Sequence, residues 1–181
     1  MRTFIAATLV FGTLFLGSLP ALGENHSRGE YLIKAAFIYN FAKFVDWPQD
    51  AFPDDQAPLI LTVLGQDPFG DTLGTLANKR VRGRAFEIRR TSQLSDLAPC
   101  HILFIARSEK QRLTEIQNKI NDWPVLTVSD MGAFTQRGGA VQFILAQSKI
   151  RFTINPKRAE QNKLHISSQL LRLAQSTRTD Q

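Results

Sequence analysis

The order of apolar and polar positions along the chain predicts alternating helices and strands. A first helix is predicted over residues 30–47, because most of its positions are apolar and Pro48 ends it. Strand–helix–strand patterns then occur twice, with elements predicted at residues 58–64, 71–78 and 85–91, and again at residues 101–106, 108–120 and 124–128. The chain closes with a hairpin and a last helix, predicted at residues 140–146, 149–155 and 156–174.

The hairpin and the last helix carry clear local signals. The second arm of the hairpin alternates apolar inward positions with polar outward positions: Ile150, Phe152 and Ile154 inward, and Arg151, Thr153 and Asn155 outward. Asn155 is predicted to cap the last helix, because Pro156 follows it at the first helical position. The apolar residues of that helix are predicted to face the core: Leu164, Ile166, Leu170, Leu171 and Leu173.

These elements predict an α/β fold. Strand–helix–strand units favour parallel strands joined by right-handed crossovers, and a hairpin adds an antiparallel pair. We therefore expect a single compact domain with a mixed β-sheet, built from two βαβ units and the C-terminal hairpin, with helices packed on the sheet.

The N-terminus has the pattern of an export signal. Arg2 precedes an uncharged stretch over residues 4–16, which is too short to cross a bilayer, and small residues precede a predicted cut before Glu24. An uncleaved membrane anchor or a core helix is the alternative. The predicted organisation is a signal peptide, a flexible N-terminus, a folded domain and a polar tail, at residues 1–23, 24–29, 30–175 and 176–181.

Composition and charge narrow the classes of function. Lys and Arg outnumber Asp and Glu by 22 to 16, and the basic residues are spread along the chain. For an exported protein this charge fits an anionic membrane surface or an acidic protein face better than nucleic acid, and a scattered, solvated surface fits equally well. Cys100 is the only cysteine, so no disulfide forms within the chain. We expect a buried, inert thiol there, and pairing with another chain stays open.

The sequence shows no recognisable catalytic or metal-binding pattern. His26, His101 and His165 stand apart from one another, without metal-ligand spacing. His101 begins a buried strand and is predicted to be a hydrogen-bonded structural residue. Residues 65–70 lie where a phosphate-binding loop would, but an Asp and a Pro there disfavour an anion, so we predict a tight turn with Phe69 as its packing plug. We therefore predict no enzyme, no cofactor and no metal.

Eight segments in this order resemble the YfiR family of exported bacterial proteins. The resemblance covers essentially the whole chain after the predicted signal peptide. It is carried by YLIKAAFIYNFAKFVDWP, VLGQDPFG, RVRGRAFEIRR, CHILFIARSE, VLTVSDMGAF, GGAVQF, KIRFTINPKRA and LHISSQLLRLA. It implies a periplasmic protein that holds an inner-membrane diguanylate cyclase inactive by binding its periplasmic sensor domain, and so restrains cyclic di-GMP signalling and biofilm formation. An outer-membrane lipoprotein can sequester such a regulator. Cys100 falls at a cysteine of the family pattern, but the usual partner cysteine is missing, which excludes an internal redox switch.

Candidate partner-binding residues follow from the aromatic first helix and the hairpin. Aromatic residues are favoured at protein interfaces, which makes Phe37, Phe41 and Trp47 candidates, although a core role is the simpler explanation for each of them. Arg151 and Asn155 are candidates on the outward face of the hairpin. The alternative function is a periplasmic small-molecule sensor coupled to a histidine kinase or an outer-membrane receptor. Homodimerisation through the aromatic helix stays open.

Overall fold

The computed structural model describes residues 22–175. The predicted signal peptide, residues 1–23, lies almost wholly outside the described residues, and the predicted tail, residues 176–181, lies outside them entirely. Within the described range, no helix has the length and apolar content that crossing a bilayer requires.

The helices and strands follow the predicted order closely. The α-helices are α1 (Leu22–Phe44), α2 (Leu113–Lys119), α3 (Pro156–Gln161) and α4 (Ser168–Leu173). The strands are β1 (Val45–Asp46), β2 (Leu59–Leu64), β3 (Arg80–Val81), β4 (Arg84–Thr91), β5 (Ile102–Ile105), β6 (Leu126–Ser129), β7 (Val141–Ala146), β8 (Lys149–Ile154) and β9 (His165–Ile166). Three 3₁₀ segments complete the description: Gln49–Ala51, Gly70–Leu76 and Arg107–Arg112.

A seven-stranded mixed sheet forms the centre of the domain. Its strand order is β3-β4-β2-β5-β6-β7-β8. The five inner strands β4, β2, β5, β6 and β7 are mutually parallel, whereas β3 and β8 run antiparallel at the two edges. The sheet confirms the predicted α/β fold, with a mixed sheet and a C-terminal hairpin. The second predicted crossover contains α2, whereas the helix predicted at residues 71–78 in the first crossover is a 3₁₀ segment. A second, two-stranded sheet joins β1 to β9.

The first helix is longer than predicted at its start and shorter at its end. It begins at Leu22, so residues 24–29, predicted to be a flexible terminus, are helical. It ends at Phe44 instead of continuing to Trp47, because Val45 and Asp46 pair with β9. Strand pairing with β9 therefore ends the helix before the chain reaches Pro48.

The prediction of a single last helix over residues 156–174 was wrong. The chain breaks at Lys163, whose φ of 59° lies in the left-handed region and ends α3. Two residues then form β9, and the side chain of Ser167 accepts a 3.2 Å hydrogen bond from the Leu170 amide to start α4. Because of this break, Leu171 and Leu173 are exposed instead of facing the core, whereas the other three predicted apolar positions are buried.

The hairpin and its cap are as predicted. Gln147 and Ser148 form the turn, and both adopt positive φ values, as a two-residue hairpin turn requires. The Asn155 side chain accepts a 3.1 Å hydrogen bond from the Arg158 amide. Thr153 does lie on the face opposite α1, but it is buried there because the loop at Thr135 covers it.

Apolar side chains form a core on each face of the sheet. The larger core lies between the sheet and α1, and it includes Ile38, Phe41, Phe104 and Phe152. The smaller core lies on the other face, under α2 and the 131–134 turn. Phe69 is almost fully buried and packs edge-on against Phe104, with ring centroids 4.7 Å apart, which confirms its predicted role as a packing plug.

Candidate functional site

An exposed apolar groove lies between α1 and the tip of the β7–β8 hairpin. We call it the α1–hairpin groove; its volume is about 590 Å³, and it is lined by Gly29, Glu30, Ile33, Phe37, Leu145, Ser148, Lys149 and Ile150. Leu145 is 68% exposed and Ile33 is 49% exposed. Clustered exposed apolar side chains of this kind mark sites where a partner binds.

The strand register explains why the groove is apolar. Phe143 pairs with Phe152 across the hairpin, and both rings pack beneath α1 against Phe41. Leu145 and Ile150 form the next pair on the same face, one step toward the turn. The helix does not cover this second pair, so core-type side chains emerge at the tip of the hairpin.

A buried ionic cluster anchors α1 beside this groove. Lys34 is only 1% exposed, and its Nζ lies 2.6 Å from Oδ2 of Asp130 and 2.5 Å from Oε1 of Glu30. The Tyr31 hydroxyl donates a 2.8 Å hydrogen bond to Oδ2 of Asp130. Nε of Arg107 lies 3.2 Å from the other oxygen of Asp130. The cluster thus ties the groove side of the helix to the end of β6.

The cluster perturbs two of its own ionisable groups. Burial alone would raise the pKa of Asp130, but its hydrogen bond to Lys34 and the charges of Lys34 and Arg107 hold that pKa below its usual value. Burial, and next the hydrogen bond to Asp130, raise the pKa of Tyr31. Asp130 is therefore ionised and Tyr31 is a neutral hydrogen-bond donor at neutral pH.

Sequence reasoning missed this cluster. Neither Lys34, on a largely apolar helix, nor Asp130, just after a strand, is among the candidate residues that the sequence offers. One signal was available, because Glu30 and Lys34 stand four residues apart on a helix whose neighbouring positions are apolar. The third member comes from 96 residues further along the chain, and no local pattern points to it.

The aromatic candidates on the first helix occupy different environments. Phe41 is fully enclosed and packs against Phe143 and Phe152. Phe37 is half-buried and contacts both the core and the groove. Trp47 is half-buried near the opposite end of the domain, where its Nε1 donates a 3.1 Å hydrogen bond to the His101 carbonyl.

The hairpin candidates lie away from the groove. Arg151 is exposed on the face of β8 opposite the groove. Asn155 caps α3 and donates a 3.1 Å hydrogen bond to the Thr135 carbonyl, so both ends of its amide are used inside the domain. The structure therefore does not gather the five candidates into one surface: of the five, Phe37 alone lines the groove.

The adjacent residues Cys100 and His101 have structural surroundings. Burial raises the pKa of Cys100 to about 11, which keeps the thiol protonated at neutral pH. His101 accepts a 3.0 Å hydrogen bond from the Ile60 amide at Nδ1, and its Nε2 lies 3.1 Å from the Ala51 carbonyl. Burial lowers the pKa of His101 to about 4, so the ring is neutral with its proton on Nε2. The His101 ring joins two backbone segments, as the sequence predicted.

Within residues 22–175, the geometry shows an exposed apolar groove and no assembled metal site. Among the described residues, no three His, Cys, Asp or Glu side chains come together as a metal ion would require. The class is thus that of a small α/β domain with an apolar groove beside one long helix. The model of the YfiR/HmsC-like family matches residues 31–175, so the chain belongs to that family. None of the curated proteins matches the chain.

Membership of this family gives the α1–hairpin groove a context. YfiR-like proteins are periplasmic, are generally non-catalytic, and are linked to the regulation of diguanylate cyclases. The family match confirms the resemblance that the eight sequence segments indicated.

Proposed function

We propose that the chain represses an inner-membrane diguanylate cyclase by binding the cyclase's periplasmic domain through the α1–hairpin groove. The observation that carries this proposal is the exposure of Ile33 and Leu145 on a structured, concave surface. Family membership supports a diguanylate cyclase as the partner. Glu30 and Lys149 provide a polar rim around the apolar centre, which is the usual arrangement of a protein interface.

Repression by binding requires no reaction, and we propose that the chain is not an enzyme. It needs only to bind the inactive state of the cyclase more tightly than the active state. A hundredfold difference in affinity shifts the equilibrium between the two states by about 2.7 kcal/mol. We further propose that the chain acts in the periplasm after cleavage of its signal peptide, and that an outer-membrane lipoprotein relieves repression by competing for the regulator.

Deletion of the gene tests the direction of this regulation. Cells that lack the protein should contain more cyclic di-GMP and form more biofilm when the cyclase is expressed, because the inactive state loses its ligand. Expression of the wild-type protein from a plasmid should restore the lower level. An unchanged cyclic di-GMP level in the deletion strain would count against repression.

Direct binding to the purified periplasmic domain of the cyclase tests the groove. Leu145→Asp should weaken binding about tenfold or more, because a buried charge in an interface costs more than the lost apolar contact. Leu173→Asp is the matched control, because Leu173 is 62% exposed but lies on α4. Equal affinities for the two variants would place the interface elsewhere, and Trp47→Ala, Arg151→Ala and Asn155→Ala would then identify it.

A second copy of the chain is the competing occupant of the groove. Sedimentation at several protein concentrations distinguishes the two occupants. A dimer that Leu145→Asp dissociates would assign the groove to self-association and remove the basis for cyclase binding at this surface.

A further inference from the structure

A small crevice opens at the carboxyl ends of β2 and β5. It has a volume of about 220 Å³ and is lined by Tyr31, Gln66, Asp67, Pro68, Arg107 and Ser108. The chain leaves β2 toward β4 on one side, and leaves β5 toward β6 on the other. In parallel sheets, ligands bind in the crevice where neighbouring strands send their connections in opposite directions. This crevice occupies that position.

The two loops that form the crevice are held together tightly. Gly65 adopts a φ of 95°, and a Cβ added there would lie 2.5 Å from Oγ of Ser108. The Gln66 amide donates a 3.0 Å hydrogen bond to the same oxygen. The walls of the crevice are therefore fixed before any ligand arrives, which lowers the cost of binding.

The charges of the crevice leave one cation available. Both oxygens of Asp67 are already used, because they lie 2.7 Å from Nε of Arg90 and 2.8 Å from the Phe69 amide. Arg107 contacts Asp130 through Nε. Within the described part of the chain, neither terminal nitrogen of Arg107 has a hydrogen-bond partner, and its side chain is 65% exposed. A guanidinium edge with two free donors matches a carboxylate or a phosphate.

We propose that this crevice binds a small anion, a carboxylate or a phosphate, on the terminal nitrogens of Arg107, and that occupancy is relayed to the α1–hairpin groove. The volume is below the roughly 300 Å³ of sites for drug-sized ligands, so the ligand is small. The relay follows the buried ionic cluster: Arg107 contacts Asp130, Asp130 contacts Lys34, and Lys34 contacts Glu30 on the rim of the groove. The relay rests on the proposed function, whereas the anion site does not.

Titration of the purified protein with malonate and, separately, with inorganic phosphate tests the site. Nuclear magnetic resonance should show saturable shifts centred on the amides of Gln66 and Ser108, and the probe that binds more tightly identifies the class of anion. Arg107→Gln should weaken binding about tenfold or more, because a charged hydrogen-bonding group is lost. Arg172→Gln, which removes an exposed arginine on α4, should bind like the wild type.

Several outcomes would overturn the site. Equal binding by wild type and Arg107→Gln, or shifts that do not saturate and spread over the surface, would show general attraction of anions to a basic protein. If Arg107→Gln does not fold, Arg107→Lys serves instead, because it keeps the charge but loses the two-pronged donor. Wild-type affinity in Arg107→Lys would also overturn the proposed geometry.

The relay is tested by measuring cyclase-domain binding with and without saturating anion. Affinity should change in the wild type but not in Arg107→Gln, and the cyclase domain should change anion affinity by the same factor. An unchanged affinity with the anion bound would overturn the relay alone. Absence of all cyclase binding would overturn the proposed function and the relay with it, while the anion titration would still decide the site.

Discussion

The two halves of the continuous helix α1 differ in burial: one half is enclosed in the core, and the other carries exposed apolar residues. Its second half, which carries Ile38 and Phe41, is enclosed by the sheet and has no exposed side-chain surface at those positions. Its first half carries Leu32 and Ile33, each 49% exposed, and Ile33 lines the groove at the uncovered tip of the hairpin. The comparison teaches that the aromatic residues, which attract attention as interface candidates, mainly build the core, whereas aliphatic residues form the exposed surface.

The largest expected effect is in the enclosed half. Phe41→Ala should lower the free energy of unfolding by about 3–5 kcal/mol, because it opens a cavity between three aromatic rings that pack against Phe41. Urea unfolding measures the change. Leu32→Ala is the control in the exposed half and should cost less than about 1 kcal/mol. Similar losses in the two variants would remove the contrast between the halves.

The junction between the halves is the next most sensitive point. Asp130→Asn should cost about 3 kcal/mol, because Lys34 is left buried with Glu30 as its remaining acidic partner. The double variant Lys34→Met with Asp130→Asn should recover part of this loss, because the buried charge is removed. Urea unfolding of the two variants is the measurement, and a double variant less stable than the single one would contradict the assignment.

A third prediction concerns the pH dependence of stability. It depends on His101, whose ring joins two backbone segments near the end of α1. The unfolded ring binds a proton below about pH 6.5, whereas the folded ring does so only near pH 4. Between these values the unfolded state binds more protons, so stability falls as the pH decreases. The loss from pH 7.5 to pH 5 should be about 2 kcal/mol at most.

Two variants assign this pH dependence. His101→Gln should lack the loss, which thermal unfolding at the two pH values would show, although its stability at pH 7.5 should be lower. His165→Gln changes an exposed histidine on β9 and should keep the wild-type pH dependence. The same slope in all three proteins would show that other groups cause it.

The smallest effect is expected in the groove. Leu145→Asp should change the free energy of unfolding by no more than about 0.5 kcal/mol, because the side chain is already largely in water. The same urea measurement tests this. A loss above about 2 kcal/mol would mean that Leu145 supports the fold, and the binding experiment with this variant would then lose its meaning.

The sequence predicted the sheet well because its signals are local. Buried strands such as β5 are continuous apolar runs, and the hairpin alternates with a period of two. The errors came from contacts between distant residues. Pairing of β1 with β9 ended the first helix early, and the left-handed Lys163 divided the last one. No pattern within either segment indicates such a partner.

The α1–hairpin groove was harder to predict than the fold for the same reason. In the sequence, Leu145 looks like any other apolar strand residue. It is exposed because α1 covers the Phe143–Phe152 pair but not the next pair on the same face, Leu145–Ile150. Phe41 and Phe37 lie one helical turn apart and differ in exposure because of what packs above them. Exposure of an apolar side chain is a property of the assembled layers, so periodicity alone does not reveal it.

The small sheet between β1 and β9 has a consequence for how the protein matures. Val45 pairs with Ile166, and the Ser167 amide donates a 2.9 Å hydrogen bond to the Phe44 carbonyl. A contact between such distant positions forms late, because a long loop must close first. The end of the long helix therefore gains its support only when nearly the whole polypeptide is present. A chain whose synthesis has not reached β9 lacks this support, and a product truncated before β9 would expose the aromatic side of the helix to proteases and chaperones.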